Sequence, residues 1–151
     1  MRLLPEPLAR RHVRATPRQV WAVLADGWRY ADWVLGTRAI RAVDVEWPAR
    51  GSCLHYTVGY GPLAYRNRTT VAACVPERVL ELEVHAGPAG TARVGLRLTP
   101  ERDGTLVMLE EHPLRGPVAW LHTPLANLPY ALRGHLMLRD LARLAEEPGR
   151  G

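Results

Sequence analysis

The sequence predicts an α+β domain: one curved antiparallel sheet of about seven strands wrapped around a long C-terminal helix, with two short helices after the first strand. Three observations predict it. From Gly36 to about His112, apolar and polar residues alternate with the period of a strand, interrupted by short turn-rich segments. Those separators are too short for parallel crossovers, so consecutive strands must be antiparallel neighbours. Beyond them, from about Pro124 or Pro129 to Glu147, the period becomes helical with one apolar side.

The first strand covers about Ala9 to Arg14. Thr16-Pro17-Arg18-Gln19 then reads as a helix start: Thr16 can cap, Pro17 suits the first turn, and Gln19 can complete a capping box. The helix Pro17 to Ala25 carries Val20, Trp21, Val23 and Leu24 on one side and ends at Asp26-Gly27, and a second helical turn, Trp28 to Val34, follows. Strands are expected at 37–46, 52–59, 63–75, 78–86, 91–99 and 105–112. Between them lie Trp47-Pro48-Ala49-Arg50-Gly51, Gly59-Tyr60-Gly61-Pro62, Pro76-Glu77, Gly87-Pro88-Ala89-Gly90 and Pro100 to Gly104. Glu81-Leu82-Glu83-Val84-His85 alternates cleanly, so one sheet face is wet and the other covered. On the wet face Glu81 and Glu83 should neighbour Arg93 and Arg97.

On the long helix Asn127, Tyr130, Gly134, Met137, Leu138, Leu141, Leu144 and Ala145 share one side. Arg133, Arg139, Asp140, Arg143 and Glu147 fall on the other. Such a helix should lie across the dry face of the sheet, and a curved sheet gripping one helix leaves a cavity between the two.

A chain of 151 residues, 47% hydrophobic and 23% charged, fits a single globular domain, 1–151, with an ordered core at about 8–147. No run is apolar enough for a membrane span, and the N-terminus lacks the pattern of a secretory signal. With two cysteines inside strands, a cytoplasmic protein with free thiols is expected. Cys53 is assigned to the inner phase of its strand and Cys74 to the opposite phase of the next, out of disulfide reach. The net charge is +5 and every basic residue is arginine. The arginines are dispersed rather than clustered among aromatics, which argues against nucleic acid as a partner. The histidines occupy different elements, without a His-x-x-x-His or Cys-x-x-Cys pair, so neither a metal nor another cofactor is expected. Ser52 is the only serine and lies in no Gly-x-Ser-x-Gly motif, and no glycine-rich loop precedes a helix that could receive phosphate. Monomer and homodimer both remain open.

The order of elements resembles the helix-grip fold of the START-like (SRPBCC) superfamily. Ala15-Thr16-Pro17-Arg18-Gln19-Val20-Trp21-Ala22-Val23-Leu24-Ala25-Asp26 looks like the opening of bacterial members of the polyketide cyclase/dehydrase-like branch. Trp47-Pro48-Ala49-Arg50-Gly51, Val58-Gly59-Tyr60-Gly61-Pro62-Leu63 and Val75-Pro76-Glu77-Arg78-Val79-Leu80 are similar to one uncharacterised group within it. The resemblance runs from about residue 8 to 147 and implies a deep apolar pocket whose ligand varies between members, some being aromatase/cyclases and others carriers or sensors. This chain departs from that group in having Asn67 where it carries an acidic residue and Gly134 where it carries asparagine.

Which polar side chains enter the pocket depends on strand phase. If the hairpin of strands 52–59 and 63–75 turns near Tyr60 or Gly61, odd residues pair with odd, placing Cys53, His55 and Thr57 with Tyr65, Asn67, Thr69, Val71 and Ala73. Arg66 and Arg68 prefer water, so this odd set should face inward, though a slip of one residue would reverse it. His55 near Asn67 is then a candidate acid/base or ligand donor, or else a hydrogen-bonded core histidine. Glu111 shares a phase with Thr105, Val107 and Leu109. It can be a desolvated acid/base in the pocket, or a strand-end carboxylate paired with an arginine or water. Tyr130 and Asn127 on the helix can orient a ligand, beside Gly134, Met137 and Leu138, although a tyrosine there is as often plain core. Trp28, Trp33 and Trp120 should border an opening, or simply pack. The first expectation is a protein that binds a small hydrophobic molecule, lipid- or polyketide-like. The alternatives are a cyclase, dehydratase or aromatase using His55 and Glu111, and an interaction module with a filled interior.

Overall fold

The computed structural model describes residues 9–35, 37–59, 62, 64–85, 90–115 and 130–147. The chain begins with β1 (Ala9–Val13) and α1 (Pro17–Leu24), followed by a single 3-10 turn (Gly27–Arg29) and α2 (Tyr30–Trp33). Six strands come next: β2 (Thr37–Val43), β3 (Cys53–Val58), β4 (Tyr65–Val75), β5 (Val79–His85), β6 (Thr91–Glu101) and β7 (Gly104–Arg115), and then α3 (Tyr130–Glu146). All seven strands form one antiparallel sheet in the order β1-β7-β6-β5-β4-β3-β2. The expected architecture is therefore present, with boundaries that differ by a few residues. The strand expected at 37–46 stops at Val43; just beyond it the exposed Asp44 donates its amide to the Cys53 carbonyl while its carboxylate accepts from the Cys53 amide. The strand expected at 105–112 continues to Arg115.

Local chemistry starts α1. Thr16 accepts from the Gln19 amide while the Gln19 side chain accepts from the Thr16 amide, the reciprocal capping box expected from the sequence. Val20, Val23 and Leu24 on α1 are buried.

On β5 to β7 the alternation reads as expected: Leu80, Leu82, Val94, Leu96, Leu98, Val107 and Leu109 are buried. Glu81 and Glu83 are on the outer face, both beside Arg93 at 3.8 and 3.7 Å. Arg97 instead neighbours Glu110 at 3.7 Å, because its strand partner is Val79 on one side and Met108 on the other.

The phase of β3 is the main correction. His55 pairs with Arg68 and Tyr56 with Asn67, so odd residues of β3 align with even residues of β4. Leu54 and Tyr56 are therefore buried on the inner face with Asn67, Thr69 and Val71. His55, Cys53 and Thr57 share the outer face with Arg66 and Arg68. The phase expected for β4 holds; the one expected for β3 is inverted. Cys53 lies on the outer face, its thiol 3.3 Å from the Thr70 hydroxyl. A bulge between Val71 and Ala73 turns Cys74 inward opposite Leu80. Both cysteine faces are thus the reverse of the expectation, yet they remain opposite, and both thiols are free.

Two contacts fix the direction of α3. Near its N-terminal end Arg133 bonds to Glu111 of β7, and near its C-terminal end Glu146 accepts from the Arg14 amide just beyond β1. Val13 at the end of β1 pairs with Thr105. Arg133 to Glu146 along a helix and Glu111 to Thr105 along a strand each span roughly 20 Å. The helix therefore runs along the β7–β1 side of the sheet, where it packs mainly against β1, α1 and α2.

Candidate functional site

The inner face of the sheet divides into two ends. Toward the Thr105 end, one row crosses the sheet as Cys74, Leu80, Leu96, Leu109 and Ala9, and Leu98 and Val107 lie beyond it. These residues, with Met137, Leu138, Leu141, Leu144 and Ala145 of α3, belong to the apolar core. The next row, Val71, Leu82 and Val94, ends on Glu111. Past it come Thr69 and then Asn67 with Tyr56. Polar side chains thus gather at one end of a covered surface, where α3 starts and where α2 lies against it.

At this polar end Thr69 is fully buried, and its hydroxyl is shared by two phenols: Tyr30 Oη at 3.1 Å and Tyr56 Oη at 2.8 Å. The two tyrosine rings lie 5.1 Å apart, and Trp33 stacks edge-on against Tyr30 at 5.7 Å. Burial pushes the Tyr30 phenol well above its usual value, and the neighbouring Tyr56 adds to this. The Thr69 bond and the charge of Arg133 act in the opposite sense and do not overcome it. The Tyr30 phenol is consequently neutral across the physiological range. Asn67, only 7% exposed, sits two residues along β4 from Thr69 on the same face, and its Oδ1 has no hydrogen-bond partner among the described residues.

Glu111 and Arg133 form the second polar feature. One guanidinium nitrogen reaches both carboxylate oxygens, at 2.7 and 2.6 Å, with the side chains 13% and 26% exposed. Glu111 faces inward as its phase predicted, and it is tied to an arginine, the plainer of the two readings. The helix wheel puts Arg133 on the polar side of α3. It sits in the first turns of α3, where its long side chain can reach across to the strand.

The structure brings together Asn67, Thr69 and Glu111 of the candidate residues on one face, with Gly134, Met137 and Leu138 buried on α3. Val107 and Leu109 are in the apolar end, and Trp33 is buried against Tyr30. His55 does not join them. It emerges on the opposite face of the sheet from Glu111, so the acid/base pair expected from the sequence does not converge on one reacting atom. Tyr65 is the first residue of β4 and Tyr130 the first of α3, but their side chains, like the whole of Trp120 and Asn127, lie outside the described residues. Sequence reasoning missed Tyr30, Tyr56 and Arg133. The signal for Tyr56 was present in Leu54-His55-Tyr56-Thr57-Val58, whose apolar residues are the even ones. Among the described residues no group of three potential metal ligands forms, and no helix is long and apolar enough to cross a membrane.

Residues 9–146 match the family described as polyketide cyclase / dehydrase and lipid transport. Among solved structures, a protein of Chromobacterium violaceum superposes with TM-score 0.66 at 18% identity, covering 91% of this chain and 95% of that one. The di-domain ARO/CYC protein StfQ of the steffimycin biosynthetic pathway gives TM-score 0.64 at 13% identity, covering 91% of this chain and 49% of its own. Ara h 8.0201 gives 0.63 at 8% identity, covering 90% and 93%. At these identities the likeness is one of fold. Among curated proteins none matches this sequence.

Proposed function

Because this chain belongs to the polyketide cyclase / dehydrase and lipid transport family, we propose that it binds a small, largely apolar molecule between the inner face of β3 to β6 and helices α2 and α3. The observation that supports this most is the covered polar end of the inner face. Tyr56, Asn67 and Thr69 occupy positions where a solid core would carry aliphatic side chains; the two hydroxyls satisfy each other, whereas Asn67 Oδ1 has no partner among the described residues and costs desolvation unless something bonds to it. A site of mostly apolar lining with a few fixed polar groups is what orients a small ligand. The course of α3 along the β7–β1 side, with a glycine at 134 in its first turns, supports the same reading, because neither brings bulk toward the centre of the sheet.

The test is a titration with the apolar dye anilinonaphthalene sulfonate, comparing the wild type with Gly134→Trp and melting both proteins. The expected outcome is saturable dye binding to the wild type that falls sharply in a variant that still folds, since an indole is tolerated only where volume is spare. Equal binding by both folded proteins would remove the site from this interface.

A further inference from the structure

We infer that the head group of the bound molecule is an uncharged hydrogen-bond donor, an alcohol, phenol or primary amide, recognised by Asn67 Oδ1. This rests on the binding reading above and goes further, by assigning the chemistry of the ligand's polar end.

The argument counts donors and acceptors at the polar end. Asn67 Oδ1 is a buried acceptor with no partner among the described residues. Such an atom costs stability that a donor arriving with the ligand would recover. The neighbouring hydroxyls are already committed to one another: Thr69 Oγ1 bonds to both Tyr30 and Tyr56, and the two phenols also bond to each other, which uses all three O–H protons. Arg133, the cation whose charge acts on Tyr30, is matched by Glu111 at 2.6 Å. A carboxylate head would therefore meet an unpaired acceptor and neutral phenols, with no free cation among these groups to balance it. A ketone, which only accepts, would set one oxygen against another. A neutral group with an N–H or O–H satisfies Asn67 without adding a buried charge. The asparagine also fits this role better than an acidic side chain, because an amide carbonyl accepts a hydrogen bond while remaining neutral.

The experiment uses probes that share one apolar body and differ in the head: naphthol, methoxynaphthalene, acetylnaphthalene and naphthoate. Each is titrated into wild type and Asn67→Leu by intrinsic fluorescence or calorimetry, with melts of both proteins. In the wild type naphthol should bind about tenfold more tightly than methoxynaphthalene, the size of one buried hydrogen bond. Acetylnaphthalene should gain nothing over the ether, and naphthoate should bind least. In Asn67→Leu the preference for naphthol should vanish while the ether binds as before. The wild-type ranking decides the matter even if the variant fails to fold. Binding of all four probes with equal affinity would leave the binding site standing and overturn the donor assignment. So would a preference for acetylnaphthalene, which would mean that the amide presents its nitrogen. Absence of binding by any probe would overturn both.

Discussion

Thr69→Val removes the hydroxyl on which two buried phenols converge and keeps the volume and the strand preference of the residue. Thr69 is fully buried, so water cannot replace what is lost. Two hydrogen bonds disappear, of 3.1 and 2.8 Å, each worth about 0.5–1.5 kcal/mol net. The hydrogen bond between the two phenols remains and holds them together, so the loss is confined to the two Thr69 bonds. The expected destabilisation is therefore about 1–3 kcal/mol. For a chain of this length that corresponds to a melting temperature lower by roughly 3–10 °C. Urea denaturation gives the free energy, and calorimetry the midpoint. Tyr30→Phe and the double variant complete a cycle whose coupling should be about 1 kcal/mol, because both single changes delete the same contact. A Thr69→Val protein as stable as the wild type, or strictly additive single changes, would refute the claim that these hydroxyls form one cluster.

Other parts of the fold give further expectations. Gly104 opens β7 with φ of 154°, and a Cβ there would meet the carbonyl oxygen of Val13. Gly104→Ala should cost at least about 1–3 kcal/mol in urea denaturation and loosen the pairing of β1 with β7, seen as faster amide exchange of residues 9–13; an unchanged midpoint would contradict the close approach. Tyr30 stays protonated in the fold when the phenol of the unfolded chain ionises near 10, so the unfolded state alone releases a proton above that pH. Stability should then fall as pH rises beyond 10 by up to about 1.4 kcal/mol per unit, and Tyr30→Phe should flatten that decline; identical alkaline profiles would count against burial of the phenol. Thiol titration under denaturing, non-reducing conditions should find both cysteines free, since Cys53 and Cys74 lie on opposite faces of the sheet; a count of zero would contradict this.

Architecture was legible in the sequence because it is written in periods and turns. Glu81 to His85 alternates, the Thr16–Gln19 box marks a helix start, and the stripe from Met137 to Ala145 is long enough to need a sheet beneath it. Each is a local signal, and each matches a local structure. The site was harder to read because its residues come from separate elements joined by register. Turn parity set the β3 phase with His55 inward, yet the real pairing follows the apolar residues Leu54 and Tyr56 into the core. Burying these side chains outweighs the preference of any turn type, and one residue of slip exchanged His55 for Tyr56 at the site. Tyr30 stood in a short helical turn with too few residues to define a face. Arg133 sits on the boundary of the helix wheel, where the reach of the side chain, rather than its angle, decides what it touches.

The central claim, that a small apolar molecule binds beside Asn67 and Thr69 between sheet and helices, is tested most directly by native mass spectrometry of the wild-type protein purified from cells of its own organism. The account predicts a small-molecule adduct that survives gentle ionisation, is released by denaturation, and on extraction proves largely apolar with a neutral hydroxyl or amide. A folded protein that carries no adduct from its own cells, and takes none up when offered a total lipid extract of those cells, would contradict it.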